Sequence, residues 1–201
     1  SKAILAAIPI KPFGVAKRRL SDLLDARSRS LLGRAVAART AEAATDAGAL
    51  VAVVTGDAGV AGWARAQGYL TIDEDPSLRP GLNGAADAVL AEALRRQRSW
   101  AIIHADLPLI SPAALRPIFE LSRTEAVVVP SYDGGSNVIA GRGAAFRFSY
   151  GKASFHRHIA ENPGTIVHTD PQLALDLDTE RDLVRTLSHP GGAWLRPLVT
   201  R

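Results

Sequence analysis

The 201-residue sequence predicts an α/β domain with a mostly parallel sheet flanked by helices. Three observations carry this expectation. The stretch from Ala3 to Ile10 is continuously apolar and stops at Lys11-Pro12, the pattern of a strand buried on both faces of a parallel sheet. Short β-branched runs then alternate with segments of helical period as far as Pro130, the order of βαβ crossovers. Hydrophobic residues make up 47% and charged residues 22%, the balance of a globular chain, and the length suits one core, so a single domain over 1–201 is expected.

After the loop 11–17, residues from about Ser28 to Ala47 set Leu31, Leu32, Ala35, Val36 and Ala43 near helical spacing, with Gly48 as a stop. Leu50 to Thr55 follows as a strand, Val60 to Gln67 as a short helix and Tyr69 to Ile72 as another strand. Gly81 opens a periodic helix whose Leu82, Ala85, Ala86, Val89, Leu90, Ala93 and Leu94 share one face. Trp100 to His104 reads as a strand. Ser111-Pro112 starts a helix, with Ser as the cap and Pro in the first turn, and Ala126 to Pro130 is a further strand. The second half is less regular. Gly134 to Arg142 is short and glycine-rich, and Lys152 to Glu161 fits one helix. Thr165 to His168 and Leu175 to Asp178 read as strands, and Thr179 caps a closing helix through Leu187.

The chain has no cysteine, which excludes disulfides, thiolate metal centres and cysteine nucleophiles. Its longest apolar stretch is far shorter than the roughly 20 residues of a membrane helix, and no charged leader with a cleavage site precedes it. A cytoplasmic protein with no membrane partner is expected. The net charge of +4 is unevenly spread, because nine Lys/Arg and only two Asp fall within residues 1–40. A basic front calls for an anionic partner. With three Trp, three Tyr and five Phe, none interleaved with the basic cluster, small phosphorylated ligands fit better than nucleic acid.

Three constellations can carry chemistry. The basic loop from Lys11 to Leu20 directly follows the first strand, where an α/β fold faces its ligand crevice. Lys and Arg there can neutralise a triphosphate, though a solvated basic loop would look the same. It is neither a Walker A loop nor a dinucleotide G-x-G-x-x-G. In His104-Ala105-Asp106-Leu107-Pro108 a strand ends in an acid, which can hold Mg²⁺ against phosphates or simply cap the next turn. In Asp176-Leu177-Asp178-Thr179 strand alternation turns both acids to one face, where a cation between them would relieve their repulsion; Asp178 as a helix cap is the alternative. The five histidines form no zinc pattern, and His156 and His158 are expected beside Arg157 in an anion-facing segment or exposed. No G-x-S-x-G elbow occurs.

Taken in order, Ile8 to Gly14, Ala16 to Leu20, Gly81-Leu82-Asn83, Ala105 to Pro108, Gly135-Ser136-Asn137, Tyr150-Gly151 with Ser154-Phe155, and Leu177-Asp178-Thr179 resemble one family over nearly the whole chain. It is the 2-phospho-L-lactate guanylyltransferase family of coenzyme F420 biosynthesis, whose relatives use phosphoenolpyruvate or 3-phosphoglycerate. The resemblance implies a Rossmann-like nucleotidyltransferase fold, similar to that of the molybdenum-cofactor guanylyltransferases, with a small inserted β-arm. It implies that Lys17 and Arg19 serve the GTP phosphates beside Lys11 and Gly14, and that Gly81, Leu82 and Asn83 line the guanine pocket. It also implies that Asp106, Asp176 and Asp178 hold Mg²⁺, that Lys17, Arg19 and Asp106 carry catalysis, and that Ser136, Asn137, Gly151 and Ser154 line the phospho-acid pocket. The expected partners are GTP and a three-carbon phospho-acid, 2-phospho-L-lactate or phosphoenolpyruvate with 3-phosphoglycerate as the alternative, with the product passed to a downstream transferase; a homodimer is admitted. Transfer to a molybdopterin or sugar phosphate, or a regulatory nucleotide-binding module without turnover, are the rival readings.

Overall fold

A computed structural model of the chain describes residues 2–15, 17–75, 77 and 79–200, so Ala16 of the basic loop lies outside the described residues. The strands are β1 (Leu5–Pro9), β2 (Leu50–Thr55), β3 (Leu70–Asp73), β4 (Trp100–Ile103), β5 (Val127–Pro130), β6 (Ser136–Gly141) and β7 (Ile166–Val167). The helices are α1 (Ala26–Asp46), α2 (Ala58–Ala66), α3 (Gly81–Arg96), α4 (Pro112–Leu121), α5 (Ser154–Glu161), α6 (Pro171–Ala174), α7 (Glu180–Ser188) and α8 (Arg196–Val199). The described strands form one sheet in the order β3-β2-β1-β4-β6-β5-β7, in which β6 alone runs against its neighbours β4 and β5. The mostly parallel α/β architecture is thus as the alternation predicts.

Helix starts follow side-chain chemistry. Asp25 accepts from Ser28 N–H at 2.7 Å and so starts α1 slightly earlier than the apolar spacing indicates. Asp57 does the same for α2, accepting from Val60 N–H at 2.8 Å. Ser111 caps α4, and Thr179 with Asp182 forms a capping box on α7. On one face of the sheet Ile8, Val53, Ile103 and Val129 meet Ala37, Ala41, Val60, Leu115 and Ile118. On the other, Leu5, Val54, Trp100 and Ile139 meet Ala85, Val89 and Ala93 of α3 together with Phe146 and Phe148. Both-face burial explains why the strands read as unbroken apolar runs.

Three expectations change. Gly134 to Arg142 contains β6, six buried residues that no period-2 pattern marks because both faces are covered. Leu175 to Asp178 is not a strand: Asp170-Pro171 starts the short helix α6, and the chain then runs extended with one backbone bond, Leu177 N–H to the Asp106 carbonyl at 2.8 Å. In place of a separate β-arm, the described residues between β6 and α5 form an irregular strap, 142–153, laid over the α3 face. No helix among the described residues is long and apolar enough to cross a membrane.

Candidate active site

A cavity of about 760 Å³ opens where β1, β2 and β4 end. The basic loop forms one wall with Lys11, Pro12, Phe13 and Lys17; Gly81 and Leu82 of α3 form another; His104, Asp106 and Asp178 close the floor beside them. Thr55, Asp57 and Glu74 line the far end. Sequence reasoning did not single out those three, although the carboxyl end of the second strand is where a ligand crevice recruits residues.

The basic loop is folded rather than loose. Phe13–Val15 and Arg18–Leu20 are 3-10 turns, and Lys17 between them adopts the left-handed backbone conformation with φ 58°. That conformation turns its side chain inward until only 8% of it is exposed. The ammonium lies 3.5 Å from Asp106 Oδ2 and donates to the Leu177 carbonyl. Arg19 stays at the surface and donates to Asp178 Oδ2 at 2.8 Å, with 72% of its side chain exposed. Two of the residues expected to bind phosphate are therefore ion-paired with two of the expected metal ligands.

Leu177, fully buried, separates the two acids of its segment, and its amide bond to the Asp106 carbonyl ties them beside Asp106. Asp178 lines the cavity, while Asp176 lies toward Asn137, whose Nδ2 is 3.5 Å from its Oδ1 and donates to the Leu173 carbonyl at 3.0 Å. Burial pushes the Asp176 carboxyl up to about 6, and the negative charges of Asp106 and Asp133 push in the same direction. Crowded carboxylate oxygens of this kind suit a hard cation such as Mg²⁺. Among the described residues, however, no group of three or more His, Cys, Asp or Glu side chains is arranged so as to hold a metal ion.

Beside the cavity stands a second polar cluster. Because β6 runs antiparallel to β4, its first residues meet the end of β4, and His104 N–H donates to the Asn137 carbonyl at 3.0 Å. Ser136 and Ser154 are buried with their hydroxyls 3.3 Å apart, and Ser136 Oγ is 2.9 Å from His158 Nδ1. The strap above them has its backbone held by side chains. Arg147 N–H donates to Asn162 Oδ1 at 2.8 Å, Arg79 Nη1 donates to the Phe148 carbonyl at 2.8 Å, and Tyr150 N–H donates to Asn83 Oδ1 at 2.7 Å. Gly151 follows with φ 124°, a conformation closed to other residues without strain, and a Cβ there would come within 2.9 Å of Arg157 Nη2. His104 Nε2 and Tyr150 Oη are buried without a hydrogen-bond partner among the described residues, and their rings are 5.7 Å apart.

Of the residues the sequence nominates, Lys11, Lys17, Gly81, Leu82, Asp106 and Asp178 line the cavity. Gly14 sits in the first 3-10 turn, and Arg19 reaches the site through Asp178. Asn83 turns away from the cavity lining to hold the strap. Ser136, Asn137 and Ser154 form the buried cluster next door, with Gly151 exposed above it. His158 is neither exposed nor anion-facing: it is wholly buried under the strap, whereas His156 is exposed. The spacing of His158 four residues after buried Ser154 is one helical turn, a signal that it shares the inward face.

The mixed sheet flanked by helices gives the chain an α/β fold of the nucleotidyltransferase type. A nucleotidyl transferase of Methanothermobacter thermautotrophicus shares the fold with a TM-score of 0.61 and 18% identity, covering 94% of this chain and 98% of that one. The chain belongs to the family described as guanylyl transferase CofC like, whose model matches residues 4–197. A phosphoenolpyruvate guanylyltransferase of Rubrobacter xylanophilus is 33% identical over 205 residues, covering 97% of this chain and 98% of the relative. A 2-phospho-L-lactate guanylyltransferase of Methanobrevibacter ruminantium is 27% identical over 203 residues, covering 94% and 87%.

Proposed function

We propose that the chain transfers GMP from GTP to a three-carbon phospho-acid, 2-phospho-L-lactate or phosphoenolpyruvate, with release of pyrophosphate. The observation that carries this reading is the adjacency of two anion-ready regions. One is the cavity walled by Lys11 and Lys17, the other the buried hydroxyl cluster of Ser136 and Ser154 with Asn137 between them and Asp176. The family and the names of its relatives support the same assignment.

In this reaction a phosphate oxygen of the acid attacks the α-phosphorus of GTP in line, and the bond to the β-phosphate oxygen breaks. The nucleophile is already an anion, so alignment and charge neutralisation replace a general base. Lys17 and Arg19 leave their carboxylate partners to take phosphate charge. Gly81 and Leu82 flank the base, and Ser136, Asn137, Gly151 and Ser154 receive the acid. Asp106, Asp176 and Asp178 would hold Mg²⁺, an oxygen-seeking ion suited to this all-carboxylate set, which when bound neutralises charge on the reacting phosphates. We assign the enzyme to the cytoplasm, with its product consumed by a later transferase of coenzyme F420 biosynthesis.

The test is pyrophosphate release from GTP in Mg²⁺ with 2-phospho-L-lactate, phosphoenolpyruvate and 3-phosphoglycerate compared by kcat/KM. Release with one of the first two as the best acceptor supports the assignment. A clear preference for 3-phosphoglycerate rejects the acceptor, and no release with any phospho-acid rejects the reaction.

A further inference from the structure

His158 is wholly buried, and no step of the transfer described above uses it. Its two ring nitrogens meet different partners: the Ser149 backbone N–H lies 2.8 Å from Nε2, and the Ser136 hydroxyl lies 2.9 Å from Nδ1. A backbone amide can only donate, so Nε2 must turn a lone pair toward it. In the neutral ring the proton then sits on Nδ1 and is donated to Ser136 Oγ. Burial pushes the pKa of this imidazole down to about 4, which keeps the ring neutral at physiological pH.

The direction propagates. Ser136 is wholly buried, and its hydroxyl, already accepting from His158, has Ser154 Oγ at 3.3 Å as its other partner. A buried hydroxyl proton without an acceptor is costly, so Ser136 donates to Ser154. Ser154 thereby accepts from inside and keeps its own proton free. It is the first residue of α5, next to the strap that carries Gly151. With the opposite tautomer the whole chain would reverse, and Ser154 would turn a lone pair toward an anion.

We propose that His158 is a positioning residue: through Ser136 it fixes Ser154 as a hydrogen-bond donor toward the anionic acceptor. The proposal rests on the reading of Ser154 as a group lining the acceptor site. It separates His158 from a merely structural histidine, because its effect on the acceptor must pass through one named hydroxyl.

Two measurements test it. The ¹⁵N–¹H correlation of the His158 imidazole in the wild-type chain must show Nδ1 protonated and Nε2 bare; protonation at Nε2 overturns the proposal, whatever the activity. The second is a double-mutant cycle between His158→Gln, which keeps an acceptor near Nε2 but loses the Nδ1 donor, and Ser154→Ala, with melting curves confirming that each variant folds. Each single change should raise the KM for the phospho-acid by about tenfold or more while the KM for GTP stays within about twofold, and the double variant should match Ser154→Ala within about twofold. His158→Asn, which retains a donor near Nδ1, should recover most of the acceptor affinity. Additive effects in the cycle, or equal rises in both KM values, overturn the proposal. Wild-type protein that releases no pyrophosphate with any phospho-acid overturns instead the guanylyl-transfer reading on which the acceptor role depends, and the tautomer still decides the direction of the chain.

Discussion

Lys17 combines a left-handed backbone, φ 58°, with a side chain only 8% exposed, so its replacement should register in both stability and activity. Lys17→Ala removes the contact to Asp106 at 3.5 Å and the bond to the Leu177 carbonyl. Hydrogen bonds involving a charged group contribute about 1.5–3 kcal/mol. A third of the Asp106 side chain is exposed, so water replaces part of the loss. A net destabilisation of about 1–2 kcal/mol follows, or roughly 2–8 °C in Tm for a chain of this size. The backbone supplies an internal control: Gly adopts the left-handed conformation freely, so Lys17→Gly should be about 1 kcal/mol more stable than Lys17→Ala. Arg19 differs, being 72% exposed and paired to Asp178 across the surface, so Arg19→Ala should shift Tm by less than about 2 °C. All three variants should lose about 10²–10³-fold in kcat/KM for GTP, the scale of removing one donor to transition-state charge. Thermal melts and GTP-dependent pyrophosphate release read the two quantities separately. Lys17→Ala that melts early but keeps wild-type GTP kinetics would refute the phosphate role, and Lys17→Gly melting below Lys17→Ala would refute the backbone argument.

Asp106→Asn should abolish turnover at saturating Mg²⁺ while the fold survives, and activity within about threefold of wild type would sink the metal assignment. His158 gives stability a pH dependence: its folded pKa, about 4, lies below the ordinary value of 6.5, so the unfolded chain binds the extra proton between them. Stability should be full above about pH 6.5 and fall as pH drops toward about 4, and urea midpoints for His158→Gln should lack that component of the slope. Leu177→Ala, at a fully buried position between the two acids, should cost about 2–5 kcal/mol in urea unfolding and reduce turnover through the acids it holds. Gly84→Ala should destabilise by about 1–3 kcal/mol, because its Cβ would stand 1.6 Å from the Arg79 carbonyl oxygen; an unchanged melting temperature would show that the α3 entry can shift.

The parallel half of the sheet was readable because buried strands are continuously apolar and helices between them keep their 3.6 period, as in Leu5–Pro9 and Gly81–Arg96. What misled was alternation without a ladder. Asp176, Leu177 and Asp178 do turn alternately, Leu177 fully buried between its neighbours, but extended chain gives that pattern with or without a partner strand. The cavity residues Lys11, Lys17, Asp106 and Asp178 were legible as charge at strand ends. The hold of Asn83 and His158 on the strap was not, because the amides they accept from lie 67 and 9 residues away, and a single sequence carries no sign of which amide a side chain will meet. The pairing of Lys17 with Asp106 and of Arg19 with Asp178 is equally hidden, since spacing along the chain does not show that groups 89 and 159 residues apart meet.

The reversal of β6 would let the two anionic substrates proposed above be served at one edge. In a wholly parallel sheet only strand ends reach the ligand side, and each delivers the few residues that follow it. Here β4 ends at Ile103 opposite Val138 of β6, so Asp106 follows β4 and Ser136 and Asn137 begin β6 at the same place. One strand ending and one strand beginning therefore bring acids and hydroxyls together without a long loop to hold either. Asn137 joins them, its amide near Asp176 and its carbonyl bound to His104 N–H. On the proposed reading, Asp106 and the acceptor-side groups Ser136 and Asn137 come from adjacent strands, so that their separation is set by the sheet, while Asp176 and Asp178 are tied to Asp106 by the Leu177 amide.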